Sequence, residues 1–120
     1  MTDLKIESLN GEFSVCRVSD FTPQMMKNPF SFLARTDEEC SLVCLTADVP
    51  QQTLSREDGW RAFRVVGVLD FSLIGILSRI STRLADAGIG IFAVSTYNTD
   101  YILVKQENYS KACRVLEEWM

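Results

Sequence analysis

Histidine is absent from the 120 residues. The commonest general base and metal ligand is therefore missing, and with it every Ser-His or Cys-His nucleophile pair. Proline is scarce, with three residues, and no apolar run reaches the roughly 18–20 residues that a membrane helix needs. The segment Met1–Leu9 carries Asp3, Lys5 and Glu7 and lacks the apolar stretch of a signal peptide, so the expected address is the cytoplasm. Basic side chains are outnumbered 12 to 16, a net charge of −4 that argues against a partnership with nucleic acid or an anionic membrane. The aromatic pair on adjacent strands that RNA-binding sheets use is also missing from the pattern.

What remains is globular. The composition is 47% hydrophobic and 23% charged, which is neither disordered nor fibrous. A chain of this length can bury about two thirds of its unfolded surface, enough for one modest domain or two small interleaved ones. Four cysteines are present, Cys16, Cys40, Cys44 and Cys113. A reducing compartment disfavours disulfides, and Cys40 and Cys44 sit in an alternating apolar segment rather than a zinc knuckle. They read as small buried hydrophobes, with a four-thiolate zinc site as the alternative. No metal and no cofactor is expected.

Along the chain, Leu4–Leu9 and Phe13–Val18 read as short strands separated by Asn10-Gly11, a dipeptide that readily takes positive φ. Pro23, Asn28 and Pro29 make 20–29 a loop with at most one helical turn. Phe30–Arg35 and Cys40–Thr46 form a hairpin pattern around Asp37-Glu38-Glu39, and 47–59 reads as a connection. Trp60–Val66 is rich in aromatic and β-branched residues and reads as a strand. Leu73, Leu77, Ile80, Leu84 and Ala87 then recur at helical spacing, with Asp70 or Ser72 as the cap and Gly88 as the stop. Ile89–Tyr97 and Tyr101–Gln106 are two more strands around a turn. Asn108 opens a last helix whose stripe is Tyr109, Ala112, Cys113, Leu116 and Trp119.

The second half thus runs strand, helix, strand, strand, helix and lacks a closing strand. The first half repeats that order with degenerate helices. An internal duplication follows, with Leu4–Leu9 supplying the missing strand. The rival arrangement hairpins Leu4–Leu9 onto Phe13–Val18.

The run from Gly67 to Leu77, the segment Leu84-Ala85-Asp86-Ala87-Gly88-Ile89 and the segment from Ile91 to Val104 with its Ser95-Thr96-Tyr97-Asn98-Thr99-Asp100-Tyr101 string resemble the ACT-domain signature. The last segment is especially similar to small tandem-ACT proteins and to the ACT repeats of aspartate kinases and TOR-pathway arginine sensors. The resemblance is strong from Trp60 to Gln106 and fainter over Phe13–Val49. It implies an α+β fold of tandem ferredoxin-like βαββαβ units, antiparallel sheets backed by helices. The units would be 1–59, a degenerate first unit, and 60–120, with residues 3–9 completing the second sheet. It also implies paired units and the sensing of a small molecule, usually an amino acid, where the first loop and helix of one unit face a neighbouring strand. The first half departs from the pattern because it has no good helix between Val18 and Phe30.

The residues of that loop suit a zwitterion. A helix start offers free N–H groups and a favourable dipole to a carboxylate, and Phe71, Ser72, Leu73 and Ile74 lie there. Gly75, read inside the helix, permits close approach. Asp70 can face the ammonium group, as can Asp100, which lies after the strand whose end carries Ser95 and Thr96. Each has a plainer role: Asp70 as a helix cap, Asp100 as a hairpin residue, Ser95 and Thr96 as strand-end hydrogen-bonding groups, Gly75 as a subunit contact. Arg61 and Arg64 read as solvated strand positions, and Tyr97 and Tyr101 as packing at the edge of the core. With no poised base, nucleophile or metal set, the chain reads as a non-enzyme. The expected function is a regulatory module binding an amino-acid effector, homodimeric and acting on a separate regulated protein. The alternative is a ligand-free oligomerisation module.

Overall fold

The computed structural model describes residues 4–66 and 75–120. The chain divides into two compact units, one made of the N-terminal segment to Asn10 with Arg61–Met120, the other of Gly11–Trp60.

In the unit Gly11–Trp60, the strands are β2 (Phe13–Val18), β3 (Ser31–Arg35), β4 (Cys40–Leu45) and the first half of β5 (Ser55–Val65), in the order β3-β4-β2-β5. β2 pairs antiparallel with β4 and with β5, and β3 with β4. The expected loop at 20–29 holds one 3₁₀ turn, Pro23–Met26, and no helix. The proline at its start is tolerated because the first N–H groups of a helix have no internal partner. A second such turn covers Thr46–Asp48. β5 starts at Ser55, five residues before the strand expected from the sequence, because charged Arg56, Glu57 and Asp58 hide an edge strand from a hydrophobic pattern. The core of this unit is small: Cys16, Val18, Met25, Cys40, Leu42 and Cys44 are buried together. Burial, with Cys16 close by, pushes the Cys44 thiol up to about 12. Such a group behaves as an uncharged hydrophobe.

In the other unit, β1 (Ile6–Ser8) pairs antiparallel with the second half of β5, Glu7 facing Arg64, rather than forming a hairpin with β2. The order is β1-β5-β7-β6, with β6 (Phe92–Ser95) and β7 (Asp100–Lys105) an antiparallel hairpin. β6 is shorter than the expected 89–97 strand. It lies at the sheet edge with Phe92 and Val94 half-buried and Ala93 and Ser95 exposed, so among the described residues one of its faces is open.

Two helices back this unit. α1 (Ile76–Asp86) buries Ile76, Ile80 and Leu84, and α2 (Tyr109–Val115) buries Ala112. They close on Leu4, Ile6, Phe63, Val65, Ile102, Val104 and Leu116 in one apolar core. Gly88 ends α1 with φ 78°. Its N–H donates to the Ala85 carbonyl at 2.9 Å and that of Ile89 to the Leu84 carbonyl at 3.0 Å, the paired bonds of a left-handed helix stop. Gly75, read inside the helix from sequence, stands before it, at the N-cap with φ 84°. The caps expected at Asp70 and Ser72 lie outside the described residues. Asn108 does stand at the N-cap of α2, but its side chain makes no cap hydrogen bond.

Candidate functional site

A cleft of about 400 Å³ opens where β5 ends, in the unit backed by the two helices. The first wall is the last turn of the β6–β7 hairpin. The Thr96 N–H and hydroxyl both donate to the Thr99 carbonyl, at 2.8 and 2.9 Å. Thr99 is buried, and its hydroxyl donates to the Val65 carbonyl at 2.7 Å, tying the turn to the end of β5. Two hydroxyls thereby spare the turn from leaving backbone groups unpaired. Asn98 and Val66 complete this side, both exposed.

The second wall carries the charge. β1 sets Glu7 directly across from Arg64, and Arg64 Nε and Nη2 both donate to one carboxylate oxygen, Glu7 Oε1, the first at 2.7 Å. Among the described residues Glu7 Oε2 takes no hydrogen bond. The Arg64 guanidinium lies 5.9 Å from the centre of the Tyr101 ring. The Tyr101 hydroxyl, and after it the Glu7 carboxylate, raise the Arg64 pKa above its ordinary value, so the cation is held firmly. The cleft therefore presents one cation, one carboxylate with a spare oxygen, and hydroxyl and amide groups.

Of the residues proposed from sequence, Thr96 lines this cleft. Ser95 and Asp100 form the cross-strand pair at the base of the hairpin, Ser95 exposed and Asp100 half-buried. Gly75 is not among the lining residues. Asp70, Phe71, Ser72, Leu73 and Ile74 lie outside the described residues. The sequence reading missed Glu7, Arg64 and Asn98. Only the β1–β5 register could have found the first two, because they are 57 positions apart.

Three other readings are corrected. Arg64, read as simply solvated, is half-buried, ion-paired and part of the cleft lining. Arg61 is half-buried with its guanidinium 3.9 Å from the Tyr109 ring centre. Tyr97, read from sequence as packing at the edge of the core, is 81% exposed. Among the described residues no group of three or more His, Cys, Asp or Glu is placed to hold a metal ion.

The profile of the ACT domain matches residues 55–118, from the start of β5 through the turn after α2. The chain belongs to the ACT-domain family. ACT domains are regulatory ligand-binding modules. The ACT match takes in Arg64 and the Thr96–Thr99 turn but not Glu7. A solved protein of Agobacterium tumefaciens is 31% identical over 98% of this chain and 90% of its own, with a TM-score of 0.86. A protein of unknown function from Vibrio cholerae, described as a possible transport protein, is 21% identical over 98% and 90%, with a TM-score of 0.74. The regulatory subunit of aspartate kinase from Thermus thermophilus, in its ligand-free form, shares the fold at 9% identity, over 99% of each chain, with a TM-score of 0.65. No curated protein matches the chain.

Proposed function

We propose that this ACT protein is a non-catalytic regulatory module that binds a free amino acid in the cleft at the end of β5. The observation that carries the reading is the cross-strand Glu7–Arg64 pair facing the Thr96–Thr99 turn. A zwitterion needs a cation and N–H donors for its carboxylate and a carboxylate oxygen for its ammonium group. Arg64 and the Asn98 amide serve the first need, since the Thr96 hydroxyl hydrogen already goes to the Thr99 carbonyl, and the spare Glu7 oxygen serves the second. On the family resemblance alone, Asp70, Phe71, Ser72, Leu73, Ile74 and Gly75, with Ser95 and Asp100, stay as candidate contacts for the same effector.

The equal strand orders of the two units support reading them as tandem ferredoxin-like repeats, the first degenerate and the second closed by β1. The ACT protein works as a homodimer in the cytoplasm, where its four free cysteines stay reduced, and passes the ligand signal to a separate protein.

Binding to the folded form alone stabilises it, by about 2.7 kcal/mol at a hundred times Kd. A thermal-shift screen of the common amino acids at millimolar concentration is therefore expected to raise the melting temperature with at least one. Arg64→Ala is expected to abolish that rise, and Glu7→Gln to weaken it. If no amino acid moves the transition, the sensing reading fails and the oligomerisation module takes its place.

A further inference from the structure

A second groove, of about 410 Å³, runs along the outer side of α1 in the same unit and shares no lining residue with the cleft of Glu7 and Arg64. Its helical wall is the polar stripe Ser78, Arg79, Thr82, Arg83 and Asp86; Glu118 and Trp119, in the turn after α2, close the other side. Arg83 is ion-paired with Glu118 and lies 4.4 Å over the Trp119 ring, so the middle of the groove is electrically neutral and has an aromatic floor. The two ends are not neutral. Arg79 and Asp86 are exposed, and among the described residues neither side chain has a hydrogen-bond or ion-pair partner.

Seven residues separate Arg79 from Asp86, two helical turns or about 10.5 Å on one face. This stripe is complementary to itself when reversed. A two-fold axis between Thr82 and Arg83 would set Arg79 of one copy against Asp86 of the other, twice, and each Arg83 against a Thr82. We infer that the outer face of α1, with Trp119, is the contact surface for a second copy of this chain, the two helices antiparallel. This rests on the homodimer reading and adds the face and the register. A symmetric dimer requires one patch that matches itself, and this patch does. Charges at such a rim set register and partner choice more than affinity, while aromatic and arginine side chains such as Trp119 and Arg83 supply the anchors.

The test is charge reversal read by sedimentation equilibrium on the full chain. The wild type is expected to be dimeric at micromolar concentration, Arg79→Glu and Asp86→Arg each to weaken the dimer by tenfold or more, and the double variant R79E/D86R to restore it. Both positions are exposed, so circular dichroism is expected to show each variant folded. A monomeric wild type overturns both the dimer and this face; if such a monomer binds inorganic phosphate through Arg79 and Arg83, the groove is an anion site instead. A dimer untouched by either reversal overturns the face alone, and single losses that the double variant fails to rescue overturn the antiparallel register.

Discussion

Ser14 is fully buried in β2, yet its hydroxyl reaches two partners, donating to Asp58 Oδ1 at 2.6 Å and meeting the Thr46 hydroxyl at 2.8 Å. The meeting is possible because the β2–β5 pairing shifts between Phe13 and Val15. Two steps on β2 span three on β5, where Gly59 takes φ 84° and absorbs the extra residue. The Ser14 hydroxyl, and then Arg56, hold the Asp58 carboxyl below its ordinary 3.8 against a cost of burial. A depressed native pKa adds stability that is present above the ordinary carboxylate value and lost as pH falls through the lowered one. Ser14→Ala is expected to reduce stability at neutral pH and to flatten the loss on acidification below the ordinary value. Urea unfolding at pH 7 and at acid pH measures both; parallel curves for variant and wild type would refute the role. None of this was legible in the sequence, where Ser14 is one polar residue in an apolar strand and Asp58 part of a charged run.

Elements were legible where one periodicity ruled them. The stripe through Ile80 and Leu84 and the stop at Gly88 both stand, because helix spacing and a left-handed terminator are local properties. Gly88→Ala tests the stop. A Cβ there would meet no other atom within 4 Å, so the whole cost is the strained φ, about 1 kcal/mol in chemical denaturation. No measurable loss would mean that the turn relaxes. The element starts were harder to read. β5 begins inside Ser55-Arg56-Glu57-Asp58, whose partners on β2 are far away in sequence, and pairing rather than propensity makes it a strand. The site divides in the same way. Thr96 could be picked from a polar string at a strand end, whereas Glu7 and Arg64 each looked like an ordinary surface charge until register joined them.

At the scale of the molecule, the N-terminal strand matters most. Leu4 and Ile6 belong to the core closed by α1 and α2, and β1 covers the edge of β5 from Phe63 to Val65. A chain beginning at Gly11 would expose that edge and lose the Glu7 carboxylate from the cleft. It is expected to melt at a lower temperature, and a synthetic peptide of residues 4–10 added in trans to recover part of the loss. Scanning calorimetry with and without the peptide decides this. Equal melting of the shortened and full chains would show that β1 contributes nothing to the fold.

The sequence by itself determined the α+β class, the helix faces, the strand-rich first half and the ACT kinship, because composition, spacing and local turn chemistry act within a few residues of one another. Only the tertiary structure decided that β1 joins β5, that Arg64 meets Glu7, and that Ser14 holds Asp58. Those are pairings across tens of residues, and strand register, which no short stretch of sequence encodes, brings them together.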